Sequence, residues 1–441
     1  MSAVVPVLRA DQRDFARAFA RLRARGVQEE ARVERTARDI VERVRRLGDR
    51  AVLEYTRRFD GVPLTPDRMR VSPDEMKEAL GALPPRVVAA LRLAARRIRA
   101  FHQHQLQRSW QFRDPVGLLL GQQITPLRRV GVYVPGGRAA YPSSVLMNVI
   151  PARVAGVTEV IMVSPAGRDG HRPAVLAAAH IAGVSALYRV GGAQAVAALA
   201  YGTRSVPRVD KVVGPGNAFV QAAKKLVYGQ VDIDSTAGPS EVLVIADGTA
   251  NPAYVAADLL AQAEHGSGDE CAILLTPSAR VAAAVSREIE RQLPRLPRRS
   301  DIAKVLRRRG ALVIVRDLDE AVALAEQVAP EHLELLVRRP QQVAKRIRNA
   351  GAIFLGPHAP AALGDYVAGP NHVLPTGGSA RFFSPLGVYD FVKRTSIVSA
   401  TARGLQRLAP AIQTLAGLEH YDAHAAAIQC RLEKSRVESE P

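Results

Sequence analysis

The stretch Ala329-Pro330-Glu331-His332-Leu333-Glu334-Leu335 sets a carboxylate and an imidazole on adjacent residues, between a helical run and an apolar, strand-like one. Pro330 disfavours helix at the residue before it and predicts an extended backbone at Ala329, which puts Glu331 and His332 on a junction. Junctions at strand ends are where α/β enzymes place reacting groups. Adjacent residues cannot grip one ligand from a shared face, but they can present two proton-transfer groups to one pocket. The plain alternative is a Glu-His pair on a loop. Gln262 and His265 are three apart and share a helix face, so they can converge on one ion or substrate. Equally, His265 can close that helix with Gly266 in the left-handed conformation. Asp365, Asn371 and His372 fall in a loop that offers oxygen and nitrogen donors of borderline hardness, or simply a polar turn. Glu419 and His424 stand five apart near the C-terminus and could reach a pocket from a helix end. Taken together, Gln262, His265, Asp365 and a further His read as one metal site beside the acid–base pair Glu331–His332. That is the equipment of an oxidoreductase or a metal-assisted hydrolase.

Three Gly turns follow strand-like runs: Pro135-Gly136-Gly137, Gly191-Gly192-Ala193-Gln194 and Gly214-Pro215-Gly216-Asn217. Glycine there lets the backbone approach a phosphate at a helix N-terminus. None is a P-loop, and Phe219 stands where the dinucleotide fingerprint requires its third Gly. Each alone reads as a tight turn; three at successive strand ends leave a nucleotide site and three structural turns evenly matched.

The elements that must position these residues follow from periodicity. Gln12 to Arg108 is helical, with a loop over Pro63–Pro73. Strands at Val130–Val134, Glu159–Val163, Leu187–Val190 and Lys211–Val213 alternate with helices. A second run has strands at Val242–Ala246, Ala272–Thr276, Leu312–Val315, Leu333–Leu336 and Ala352–Leu355. The fold class expected is α/β: two doubly wound, Rossmann-like lobes with parallel sheets lacking the usual fingerprint, plus small helical N- and C-terminal pieces. Arg291–Arg309 reads as a connection, Gly356–Arg394 as a long functional loop, and the residues after Thr395 as helix ending in a charged tail.

The chain has 441 residues, enough for two or more domains, and 47% hydrophobic residues suit a globular protein. No apolar run reaches spanning length and the start lacks a signal-like core, so a cytoplasmic protein with no membrane partner is expected. Cys271 and Cys430 form no metal or redox spacing. The net charge of +19 is spread over helices, and aromatics are 5%, so it reads as solvated surface rather than a specific nucleic-acid face.

The chain resembles the histidinol dehydrogenases along nearly its whole length. The motifs are Leu53-Glu54-Tyr55-Thr56-Arg57-Arg58-Phe59-Asp60-Gly61, Gly131-Val132-Tyr133-Val134-Pro135-Gly136-Gly137, Gly191-Gly192-Ala193-Gln194-Ala195 and Asp210-Lys211-Val212-Val213-Gly214-Pro215-Gly216-Asn217. Ala237-Gly238-Pro239-Ser240-Glu241, Gln262-Ala263-Glu264-His265, Ala329 to Glu334, Gly364-Asp365-Tyr366 and Asn371 to Thr376 continue the series in order. The resemblance implies a zinc enzyme that oxidises L-histidinol to L-histidine in two NAD-dependent steps, through a bound histidinaldehyde. It implies zinc held by Gln262, His265, Asp365 and His424, the last donated across an intertwined homodimer. Ser240, His372 and Glu419 would contact substrate alongside the zinc ligands and His332, and Tyr133, Gln194 and Asn217 would line the NAD site. His332 would be the base of both hydride steps and Glu331 the activator of water. The implied domains are an N-terminal extension 1–24, a zinc-bearing lobe of 25–129 with 239–381, an NAD lobe 130–238 and a dimerisation piece 382–441.

The sequence departs from the family pattern in three places. His420-Tyr421 replaces the usual Gly-Leu and makes His420 a rival ligand. Ala361 stands where several relatives carry Glu, and +19 is unusually basic. Two rival readings are a relative oxidising another small alcohol, such as a sulfonated diol, and a basic nucleic-acid binder on a decayed enzyme scaffold.

Overall fold

The computed structural model describes residues 4–23, 27–136, 140–167, 170–236, 238–265 and 268–437. Gly137, Ala237 and Gly266, named above, lie outside them. The chain divides into two compact units, residues 1–105 with 127–391, and residues 106–126 with 392–441.

The larger unit holds two six-stranded sheets. In one, the spatial order is Val7–Arg9, Gly310–Ile314, Cys271–Thr276, Glu241–Ala246, His332–Leu336 and Ala352–Leu355, all parallel. In the other it is Arg70–Val71, Ala186–Tyr188, Glu159–Val163, Arg129–Tyr133, Lys211–Val213 and Asp232–Ile233, parallel except for the antiparallel Arg70–Val71 edge. Leaving aside the added edge strands, each sheet runs outward in both directions from its first strand. A doubly wound sheet has its chain reversal beside that strand. The two reversals fall between Glu241–Ala246 and His332–Leu336, and between Arg129–Tyr133 and Lys211–Val213.

Sequence explains the layering. Glu241–Ala246 is buried throughout, as a central parallel strand covered on both faces must be. Val242 and Val244 join one apolar cluster with Ala272, Leu274 and Leu312, while Leu243 and Ile245 join another with Ile273, Leu275 and Val313. The two-residue period thus feeds two cores, and each fully buried Val, Leu or Ile contributes about 1.5–3 kcal/mol over its exposed state. Helix starts are fixed by side-chain caps: Asp317 accepts from Glu320 N at 2.8 Å, and Asn251 from Ala253 N at 2.9 Å.

Several expectations fail for physical reasons. Arg299–Arg309 is a helix, not a connection, because Ile302, Val305 and Leu306 recur at helical spacing and are buried. Ala329 is left-handed (φ 50°, ψ 64°), not extended; it closes the helix Leu318–Val328 through its N–H to Ala325 O at 2.8 Å. Val7–Arg9 adds an edge strand where only an extension was expected. Ile40, Val41, Val44, Tyr55 and Met69 pack with Val163, Val190 and Leu199, so residues in 25–129 build on the sheet of 130–238 rather than on that of 239–381. Their apolar stripes are legible in sequence; which sheet they cover is not. Ala361–Tyr366 is a short helix within the expected loop.

The smaller unit holds a three-stranded antiparallel sheet, Val392–Ala400, Leu118–Pro126 and Trp110–Arg113, followed by helices Ala402–Leu418 and Asp422–Val437. The expected helix after Thr395 therefore begins only at Ala402. No residue of these strands is buried, so no core-facing apolar alternation marks them. Among the described residues no helix is long and apolar enough to cross a membrane.

Candidate active site

Both sheets of the larger unit contribute to one cavity of about 1590 Å³. From the Arg129–Tyr133 sheet the carboxyl ends of the strands face it, where open α/β sheets bind ligands. The other sheet presents its amino ends. Ser240 and Glu331 immediately precede the paired strands Glu241–Ala246 and His332–Leu336. Helix Pro252–Ala263 runs back antiparallel to the sheet, so its C-terminal end delivers Gln262 and His265 to the same edge.

The Glu331–His332 pair is buried at that edge. Glu331 Oε2 accepts from Ser240 Oγ at 2.6 Å and from Glu241 N at 2.8 Å. Burial pushes its carboxyl above the ordinary carboxylate range, against the opposing pull of His332. His332 Nδ1 lies 2.9 Å from Glu241 O and 3.6 Å from Glu331 Oε2. A carbonyl oxygen can only accept, so Nδ1 carries the proton and Nε2 the lone pair of the neutral ring. Nε2 is buried without a hydrogen-bond partner, 3.5 Å from Asp365 Oδ1. Burial lowers the imidazole pKa, but Glu331, Asp365 and the Glu241 carbonyl outweigh it and raise it to about 9.

Asp365 stands on helix Ala361–Tyr366, which approaches strand Ala352–Leu355 closely because a Cβ on Gly364 would lie 2.7 Å from the Phe354 ring. Burial alone would raise the Asp365 carboxyl, but His332, His372 and His265 together hold it below the usual range. His265 Nδ1 lies 3.1 Å from Gln262 O and donates to it, which leaves the Nε2 lone pair of the neutral ring to ligate a metal. Gln262 is buried and its Nε2 has no partner. His372 is kept neutral, chiefly by burial. Its neighbour Asn371 spends its amide on Met147 O at 2.7 Å and Val373 N at 2.8 Å, so Asn371 fixes the loop and His372 meets the cavity.

A metal fits the nitrogen and oxygen donors of Gln262, His265 and Asp365, at the helix C-terminus where the backbone dipole favours a cation. Among the described residues no three His, Cys, Asp or Glu side chains gather around one point, so such a site needs the Gln262 amide and a further donor. Cys271 is buried with Sγ 3.4 Å from Arg309 O and does not line the cavity.

At the other end of the cavity Tyr133 Oη accepts from Gly192 N at 3.1 Å, and burial pushes the phenol up to about 12. Gln194 is fully buried, and neither polar atom of its side chain has a partner. An orphaned amide on a cavity wall is a site waiting for a ligand. Asn217 caps helix Ala218–Val227 by accepting from Phe219 N and Val220 N, both at 3.1 Å. Gly214 (φ +114°) brings that turn against Tyr133 O, leaving no room for a side chain. Arg298 is the one Lys or Arg on the described lining, against Asp60, Asp258, Glu264, Glu331, Glu334 and Asp365. The +19 charge is therefore not gathered at this cavity.

Ser240, Gln262, His265, Glu331, His332, Asp365 and His372 meet Tyr133, Gln194 and Asn217 on one lining. Glu419 and His424 belong to the smaller unit, where both are exposed; His420, at φ +57°, is exposed beside them. Sequence reasoning gave no functional part to Asp258 and Glu334. The available signal was a glutamate two residues after His332 in an otherwise apolar strand.

The family model for histidinol dehydrogenase matches residues 23–432. Relatives so named include those of Syntrophotalea carbinolica, 54% identical over 97% of this chain and 99% of the relative, and of Aquifex aeolicus, 54% identical over 93% and 95%. The crystal structure of histidinol dehydrogenase from Elizabethkingia anophelis superposes with a TM-score of 0.92 at 35% identity, covering 99% of this chain and all of that one. With motifs, fold and active-site lining in agreement, the chain belongs to the histidinol dehydrogenase family of oxidoreductases.

Proposed function

We propose that this enzyme oxidises L-histidinol to L-histidine with two equivalents of NAD and one zinc ion per subunit. The observation carrying the proposal is the His332 ring. Its Nδ1 is anchored, and its Nε2, the nitrogen at which a proton is gained and lost, faces the cavity beside Asp365, which is the arrangement of a general base.

Gln262, His265 and Asp365 would hold zinc with His424, which together with Glu419 would come from the partner of a homodimer. Bound there, zinc would orient the substrate through its amine and imidazole nitrogens. NAD would serve as hydride acceptor beside Tyr133, Gln194 and Asn217. The first turns of the helices after Gly191 and Asn217 would offer the backbone N–H groups of Ala193, Gln194 and Ala218 to its phosphates, which suits a lining poor in cationic side chains. Residues 130–238 would thus form the NAD lobe and 239–381 the zinc lobe, with 382–441 serving dimerisation.

His332 Nε2 removes the hydroxyl proton while the carbinol hydride departs, leaving the aldehyde. Glu331 then takes a proton from water as its oxygen adds to the aldehyde carbon, and His332 returns its proton to the former carbonyl oxygen, giving a gem-diol. His332 removes a proton from the gem-diol as the second hydride leaves, giving the carboxylic acid, which releases its remaining proton to solvent as the carboxylate. Ser240 and Glu241 N hold Glu331 Oε2 in place for the water step, and His372 contacts the substrate as a neutral imidazole.

The test is NADH formed per histidinol consumed, before and after chelation and with zinc restored. Two NADH per histidine, lost with chelator and regained with zinc, is the expected result. One NADH with aldehyde released would remove the Glu331 assignment. No turnover of histidinol by folded, zinc-loaded protein would point to another small alcohol.

A further inference from the structure

Glu334 follows His332 by two residues on strand His332–Leu336, so both side chains leave the same face, and both line the cavity. Glu334 Oε1 accepts from Ala361 N at 2.7 Å. Ala361 opens the helix that carries Asp365 four residues later, and Pro360 at its N-cap offers no side-chain bond. Glu334 therefore supplies the cap that the helix lacks. Its other oxygen, Oε2, is buried and receives no donor, yet the Asp258 carboxyl stands within hydrogen-bonding reach of Glu334. Asp258 lies on helix Pro252–Ala263, one turn before Gln262 and two before His265.

Two ionised carboxyl groups offer only acceptors, so this pair can bond only around a retained proton. Burial first, and Asp258 second, raise the Glu334 carboxyl to about 9, in keeping with a proton held there.

We infer that Asp258 and Glu334 are positioning residues: joined by one proton, they tie the helix bearing Gln262 and His265 to the helix bearing Asp365, across the strand bearing His332. The inference rests on the zinc reading given above. The pair touches no reacting atom; it sets the spacing of the three donors and of the base. Outer groups of this kind change metal affinity by about 10–100-fold when removed.

The experiment is competition for zinc between the full-length protein and a chromophoric chelator, with neither histidinol nor NAD present. Glu334→Leu breaks both bonds and is expected to weaken zinc binding by about tenfold or more. Glu334→Gln keeps them, since its amide oxygen can accept from Ala361 N and its amide nitrogen can donate to Asp258. It is expected to hold zinc within about twofold of the wild type. Should Glu334→Leu fail to fold, Asp258→Leu carries the same expectation at a half-buried position. Equal zinc affinity in wild type and the leucine variant overturns the inference. So does a glutamine variant as weak as the leucine one, because charge rather than bonding would then be what counts. A wild type that binds no zinc overturns the zinc reading and this inference with it.

Discussion

His332 donates from Nδ1 to the main-chain oxygen of Glu241 at 2.9 Å, and this bond leaves Nε2 as the nitrogen that gains and loses a proton, 3.5 Å from Asp365 Oδ1. The carbonyl belongs to the first strand of the sheet and the imidazole to the strand paired with it, Val242 lying opposite His332. The tautomer is thus set by strand register. A slip of one residue would turn His332 to the other face of the sheet.

From this geometry we predict that His332→Asn loses about 10²–10⁴-fold in both half-reactions, because it removes the proton acceptor of each. Glu331→Gln keeps the bonds to Ser240 Oγ and Glu241 N within reach of an amide oxygen, and should slow aldehyde oxidation far more than alcohol oxidation. Single-turnover rates from histidinol and from histidinaldehyde separate the two. Equal losses in Glu331→Gln would remove the division of roles.

Gln194 gives a prediction of opposite signs. Its buried, unpartnered amide costs the free protein the desolvation of groups that receive nothing in return. Gln194→Met should raise the stability of the NAD-free protein by about 1 kcal/mol and weaken NAD binding about tenfold. Thermal unfolding without cofactor and an NAD titration check the two halves. A variant less stable than wild type would mean that Gln194 is a satisfied core residue.

Much of this arrangement was legible in sequence, and the gaps have physical causes. Strands Glu159–Val163, Lys211–Val213 and Ala352–Leu355 match their expected bounds because short apolar runs between turn residues have few other readings. The Trp110–Arg113, Leu118–Pro126 and Val392–Ala400 sheet escaped because neither face is buried, which leaves no two-residue alternation to read. Pro330 excluded helix at Ala329, but the extended backbone it predicts gives way to a left-handed one because that residue closes the helix Leu318–Val328. Asp258 and Glu334 are 76 residues apart in a sequence that gives no sign of their meeting. Only the return of helix Pro252–Ala263 along the sheet brings them together.

The metal-free protein should also carry a pH signature. His332 has its pKa raised from 6.5 to about 9, chiefly by Glu331 and Asp365 acting against burial. A cation stabilised in the fold contributes fully below pH 6.5, and the contribution is lost as pH climbs through 9. That rise corresponds to at most about 3 kcal/mol. Denaturant unfolding of chelated wild type should therefore lose stability between about pH 6 and about pH 10 more steeply than His332→Asn, which keeps only the slope of other groups such as Glu334, whose carboxyl is also raised to about 9. Parallel curves for the two proteins would show that His332 is not the group responsible.

The last prediction concerns His424 and Glu419, which sit exposed in the smaller unit. The larger unit's cavity offers Gln262, His265 and Asp365, and among the described residues no three His, Cys, Asp or Glu side chains complete a metal site. Zinc in a closed tetrahedral site takes four protein ligands, and Gln262, His265 and Asp365 are one short of that number. On the dimer reading His424 of the partner subunit supplies the fourth. His424→Ala and Gln262→Ala should each lose zinc and activity. When the two inactive variants are unfolded together and refolded as mixed dimers, one site per heterodimer inherits both defects and the other inherits neither. About a quarter of the wild-type zinc and activity should return, half of the dimers being mixed and each carrying one intact site of two. His420→Ala should leave zinc in place, since its rivalry with His424 rests on sequence proximity alone. No recovery in the mixed dimers would place all four ligands within one chain, and loss of zinc in His420→Ala would transfer the fourth ligand to that residue.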